Sequence, residues 1–252
     1  MKERGYTVER LVFKSAGHRL IGALHKPSDM KMLPSAVLVL HGFPGMAPIL
    51  NDIVSSLCQA GFAPMIFHYQ GCWGSGGAYS FLGAIRDTQK ALDLMVDRED
   101  LDINNLSIIG HSFGGLIAIL MGAKNDMVKG VAALCPVANM KAELNSIRAK
   151  IILQKGLPFV KGFPMIKAVK EWKILSRQYE PIDYVEKITP RPFLLIHGDR
   201  DDIIPLSCSK ILFSKALEPK SMSIVSGADH IFAGHHKKTI ELIISWLKSN
   251  IK

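Results

Sequence analysis

The sequence predicts an α/β fold, a mostly parallel central sheet of about eight strands with helices on both faces. Three observations carry that expectation. The continuously apolar run at 36–40 and the largely apolar runs at 128–136 and 192–197 read as buried strands. Helical periodicity returns between such runs, as at 86–98, where Ala91, Leu92, Met95 and Val96 share one side. The chain has 252 residues, 48% of them hydrophobic, enough for one such domain with an insertion.

In order, residues 6–15 and 18–26 form two strands joined at Ala16-Gly17, an antiparallel hairpin ahead of the main sheet. The strand at 36–40 runs into His41-Gly-Phe-Pro-Gly45, and a helix follows over 51–60, ending near Gly61. Residues 62–69 form the next strand, and a glycine-rich loop occupies 70–77. Beyond the helix at 86–98, a strand begins at Leu106, turns through 110–115 and leaves as an apolar helix. After the strand at 128–136 the rhythm breaks. Residues 137–190 show no strand pattern; 156–165 is loop-like and 166–178 is helical. A structureless stretch of that length is foreign to a compact domain, so 137–190 is expected to be an inserted helical cap. The alternation resumes with a strand at 192–197, a helix at 206–217, a strand at 221–225 and a terminal helix at 236–249.

The turn Gly110-His-Ser-Phe-Gly114 is a Gly-x-Ser-x-Gly nucleophile elbow with Ser112 at its apex. Glycine at both flanks lets a strand reverse into a helix without side chains colliding. The new helix start supplies free amides and the positive end of a dipole. Ser75 lacks this setting, because Trp73 occupies its minus-two position.

A serine hydroxyl needs a base, oriented in turn by a third group. Two loops offer them: Gly198-Asp-Arg-Asp-Asp202 after one strand and Gly227-Ala-Asp-His230 after the last. Functional groups gather at the carboxyl ends of parallel strands. Ser112, an acid near Asp201, and His230 also follow the chain order Ser, Asp, His.

From residue 37 to the terminal helix the chain resembles the α/β-hydrolase superfamily. Within it, it is similar to small feruloyl/cinnamoyl-type esterases and to prolyl-oligopeptidase-like serine hydrolases. The resemblance rests on His41-Gly-Phe-Pro-Gly45, Gly71-Cys-Trp-Gly-Ser75, Gly110-His-Ser-Phe-Gly114, His197-Gly-Asp-Arg-Asp201 and Gly227-Ala-Asp-His230, in that order. It implies Ser112 as nucleophile, Asp201 as acid and His230 as base, with the backbone N–H groups of Phe43 and Phe113 as the oxyanion hole. Asp202 is the rival acid, otherwise capping the helix near Pro205, while Asp199 braces its loop. One loop departs from the relatives' Asp-x-Arg-Gly-x-Gly-x-Ser. Here it reads His68-Tyr-Gln-Gly-Cys-Trp-Gly-Ser75, without the charged brace.

His111, Leu157, Phe159, Phe163 and Trp172 are candidate substrate contacts, although the apolar ones serve equally to pack the cap onto the sheet. His41 and His197 are expected to hold loops, and His235 and His236 to lie exposed at a helix start. No His/Cys/Asp spacing matches a metal site, and 74–77 lacks the lysine of a phosphate-binding loop, so neither metal nor cofactor is expected.

The net charge is +9, yet no run of five or more Lys/Arg occurs, so neither nucleic acid nor a membrane is expected as partner. Much of the excess lies in 141–177, which leaves room for a basic cap favouring anionic ligands. Cys58, Cys72, Cys135 and Cys208 are widely spaced, as reduced thiols of a cytoplasmic protein are. The charged opening residues carry no apolar signal core. The expected activity is a serine carboxylesterase acting on a small-molecule ester. A peptidase or amidase of the same fold and a non-catalytic binding protein are the alternatives, and a homodimer is left open.

Overall fold

The computed structural model describes residues 5–28, 31–45, 47–143 and 146–251. Residues 1–4, within the charged N-terminal stretch, lie outside the described residues. Eight strands form one sheet in the order β1-β2-β4-β3-β5-β6-β7-β8. β1 (Tyr6–Ser15) and β2 (His18–Pro27) make the expected hairpin, and β2 pairs antiparallel with β4 (Ala63–His68). The rest is parallel: β4, β3 (Ser35–Leu40), β5 (Asp102–His111), β6 (Gly130–Leu134), β7 (Phe193–Gly198) and β8 (Lys220–Val225). β1 and β2 alternate burial, as a half-covered antiparallel ribbon must, while every residue of β6 and β7 is buried.

Helices cover both faces. α1 (Pro48–Gln59) and α8 (His236–Asn250) pack on one side, where Val37, Val39, Ile109 and Ile196 meet Ile53, Leu57, Ile243 and Leu247. α2 (Phe81–Val96) and α3 (Phe113–Lys124) cover the other, with α7 (Leu206–Lys215). α3 is apolar all round and its residues 113–122 are buried, so it runs through the core.

Two helices begin earlier than the periodicity suggests. α1 starts at Pro48 rather than 51, because proline suits a first turn whose N–H has no acceptor anyway. α2 starts at Phe81 rather than 86, since Ser80 caps it: its Oγ accepts the Gly83 N–H at 2.9 Å.

Between β6 and β7 the described chain is helical. It holds α4 (Met140–Glu143), α5 (Ile147–Gly156) and α6 (Met165–Gln178), with a short 3-10 turn at Leu157–Phe159 between α5 and α6 and two more, Pro181–Asp183 and Val185–Ile188, leading from α6 to β7. α4 and α5 are elements the sequence did not announce; for α5 the capping Ser146, whose Oγ accepts the Ala149 N–H, is the signal that was there to read. Two buried glutamates fasten this segment. Glu180 accepts the Met140 and Lys141 N–H groups at 2.7 and 3.0 Å. Burial raises its pKa despite those bonds. Glu171 on α6 accepts the Ser80 hydroxyl, 2.9 Å from each oxygen, and the Leu82 N–H at 3.3 Å. All four cysteines are free and buried. Among the described residues, no helix is long and apolar enough to cross a membrane.

Candidate active site

The sheet register brings the carboxyl ends of β3, β5, β6, β7 and β8 to one edge: Leu40 lies opposite Gly110, His111 opposite Leu134 and Gly198 opposite Val225. β3 and β5 are neighbours from which the chain winds outward in opposite directions, so a crevice opens there. The elbow sits at that crevice. Ser112 has φ +57° and ψ −119°, a conformation that costs roughly 1–3 kcal/mol in a non-glycine residue. Its neighbours hold it: the Ser112 N–H donates to Leu134 O at 2.8 Å, and Ser112 O accepts the N–H groups of Gly115 and Leu116. A Cβ on Gly110 would lie 2.1 Å from Gly114 O, and one on Gly114 would lie 2.5 Å from Leu40 O. Backbone cannot yield at such distances, so the elbow closes only with glycine at both places.

Asp201 follows β7 and His230 follows β8. The His230 Nδ1–H donates to Asp201 Oδ2 at 2.7 Å. That bond fixes the imidazole and leaves Nε2 unengaged among the described residues. The Asp201 side chain is fully buried, and its Oδ1 accepts the Ile203 and Ile204 N–H groups at 2.9 and 2.8 Å. Burial by itself would raise this carboxyl. Hydrogen bonds from His197 and His230, with the Ile204 amide, overcome it and hold the group well below the usual carboxylate range. His197 stands behind, its Nε2 shared between Ile204 O at 2.9 Å and Asp201 Oδ2 at 3.3 Å, its Nδ1 against Ser209 Oγ at 2.7 Å.

Ser112 and His230 line the same cavity, of about 720 Å³, and Phe43 and Phe113 line it with them. The Phe113 N–H is one of the unpaired donors at the start of α3, and neither it nor the Phe43 N–H has a backbone acceptor among the described residues. Most of the remaining wall is apolar, with Phe81, Val137, Ile152, Leu153, Phe159 and Trp172, and Glu143, Arg148, Lys155 and Asp202 are its charged members. Phe81 anchors it, 5.3 Å from the Phe43 ring, 4.8 Å from Phe113 and 5.8 Å from Trp172.

Of the expected substrate contacts, Phe159 and Trp172 border the cavity, and His111, Leu157 and Phe163 do not. His111 is buried, and its Nε2 bonds the His230 carbonyl at 2.8 Å, so it positions the His230 loop instead. Burial and the neighbouring His230 push its pKa down to about 3, so it stays neutral. Phe163 turns inward, edge-on to Tyr79 and Phe81, and Leu157 packs against the core. Asp202 reaches the cavity wall but does not cap α7, whose N-cap is Pro205. Asp199 does brace its loop, accepting the Gly227 N–H at 2.6 Å. His235 and His236 are half-buried rather than exposed, His236 being tied to Asp52 on α1 at 2.6 Å.

The loop expected to lack a charged brace has one from elsewhere. Asp87, buried on α2, accepts the Gln70 N–H at 2.9 Å and its Nε2–H at 2.8 Å. An acid on the apolar side of a helix was the available signal. Metal-ligating atoms also converge, since Cys135, Asp201 and His230 offer donors within 4.8 Å of one another. Burial and the Asp201 charge push the Cys135 thiol well above its ordinary value, however, and the carboxylate is already occupied by donors.

A doubly covered parallel sheet with a glycine-flanked elbow at its switch point defines the α/β-hydrolase fold. Est1E from Butyrivibrio proteoclasticus, solved with ferulic acid bound, superposes with a TM-score of 0.81 over 95% of this chain and 98% of that one, at 18% identity. A model of the prolyl oligopeptidase family matches residues 50–252, and the chain belongs to that family of hydrolases. The uncharacterized protein YfhR of Escherichia coli O157:H7 is 28% identical over 199 residues, 79% of this chain but 64% of the relative, so the chain spans less than two thirds of its length. The human acylamino-acid-releasing enzyme is 25% identical over 211 residues, 79% of this chain and 28% of that enzyme.

Proposed function

We propose that this hydrolase cleaves small carboxylic esters by acyl transfer through Ser112, His230 and Asp201. One observation carries the reading: the 2.7 Å Asp201–His230 bond, with His230 and a conformationally strained serine lining one largely apolar cavity. His230 Nε2 takes the Ser112 proton as Oγ attacks the ester carbonyl. The resulting oxyanion is held by the Phe43 and Phe113 N–H groups, each worth roughly 2.7–4 kcal/mol in the transition state. The imidazolium then protonates the departing alkoxide. Water, deprotonated by His230, attacks the acyl-serine and releases the acid. Asp201 keeps the proton on Nδ1 and stabilises the transient positive charge. In this reading α5 and α6 are the cap, and its apolar wall receives the acyl group.

Ser112→Ala is expected to lower hydrolysis of short p-nitrophenyl esters by at least about a thousandfold and to abolish labelling by a fluorophosphonate. Retained turnover in a folded variant would rule out the serine mechanism. The family match supports a second reading, a peptidase or amidase at the same site. Comparing an aryl ester with an aminoacyl anilide of the same acyl group separates the two.

A further inference from the structure

We infer that α5 and α6 form a docking surface for an anionic lipid bilayer, set around the mouth of the cavity that holds Ser112. The charge of this protein is concentrated there. Residues 141–177 hold nine Lys/Arg and two acids, Glu143 and Glu171, a net +7 of the chain's +9. Glu171 is buried against Ser80 and Leu82 and pairs only with Lys167, at 3.9 Å, so it leaves the other exposed cations of α6 unopposed.

The exposed faces of both helices combine cations with large apolar side chains. On α5, Ile147 and Ile151 lie one turn apart, with Lys150 and Lys155 on the same exposed side. On α6, Ile166 is followed along one face by Lys170, Lys173 and Arg177, all exposed. Ile147, Phe159 and Ile166 are 75%, 73% and 81% exposed. Phe159 and Ile151 are at once cavity lining and exposed surface, so this apolar rim runs into the cavity itself.

Exposed isoleucine and phenylalanine among lysines suit the boundary between lipid headgroups and acyl chains, where the cations meet anionic headgroups and the apolar groups insert. A free small anion would engage the lysines and leave the isoleucines in water. The expectation of no membrane partner rested on the lack of a continuous basic run. Two helices assemble this surface in space, so no such run is needed.

The test measures binding, which does not depend on the proposed chemistry at Ser112. The full chain is co-sedimented at low salt with vesicles of phosphatidylcholine alone and of phosphatidylcholine mixed with phosphatidylserine. It should pellet with the phosphatidylserine vesicles, stay in solution with the neutral ones, and be released by added salt. Two double variants avoid the cavity wall: Lys150→Glu with Lys170→Glu, and Ile147→Glu with Ile166→Glu. Each should weaken partitioning by at least about tenfold, with the thermal midpoint and the rate on a soluble short ester unchanged. A wild-type chain that stays in the supernatant with phosphatidylserine vesicles overturns the proposal. So does loss of binding in the lysine variant alone, which would assign the surface to a soluble polyanion. A dimer in gel filtration that only the isoleucine variant dissolves would assign it to a second copy of the chain.

Discussion

Asp201 serves two histidines and two amides at once, and its value lies in that convergence. Replacing it with Asn keeps the shape and removes the charge that holds the His230 proton on Nδ1. Asp201→Asn should therefore lower kcat on a short ester by about 10⁴-fold with little loss of fold. A variant within tenfold of wild type would mean that another acid, Asp202 first, does this work. His41 and His111 bear on stability instead. Both are fully buried, and desolvation takes each from an ordinary 6.5 down to about 3. The unfolded chain binds these protons below about pH 6.5 and the folded chain does not until about pH 3. Their contribution is thus complete above 6.5 and is lost as pH falls between the two values, by about 1.4 kcal/mol per pH unit for each residue. Thermal melts should show a midpoint falling steadily from pH 6.5 to 4. A flat midpoint over that range would show that these rings take up protons without unfolding.

At the scale of elements, Ser80 couples α2 to α6. Its hydroxyl donates to Glu171 while accepting the Gly83 N–H. Ser80→Ala removes a helix cap and deprives a buried carboxylate of a donor, so it should cost about 1–2 kcal/mol in urea unfolding. A loss below about 0.3 kcal/mol would mean that water replaces the hydroxyl freely. The same pair marks the boundary of what the sequence discloses. Ser112, Asp201 and His230 each sit in a short motif at a strand end, so local pattern was enough to bring them to one edge. Glu171 and Asp87 act on partners 91 and 17 residues away, and no window shows that an acid on an apolar helix face has found its donors. Leu157 and Phe163 fail for a related reason. Leu157 opens a 3-10 turn and Phe163 lies in the loop after it, where no period of 3.6 tells the cavity side from the core side.

At the scale of the molecule, the alternation of strands and helices and the two helical layers were legible, because runs buried on two faces are almost wholly apolar, whereas the order of the strands in the sheet came only from the structure. The distribution of charge was only half legible. Counting along the chain located the basic segment but not its two exposed faces, which depend on how α5 and α6 are turned. The Glu171 tie also bears on the proposed cap. If α5 and α6 act as the proposed cap, α6 cannot lift from α2 without stranding a carboxylate, so a guest is expected to pass beside α5 and the 157–159 turn. Bolting α6 to α2 with an engineered cross-link should then leave turnover intact, whereas one that pins α5 across the entrance should stop it.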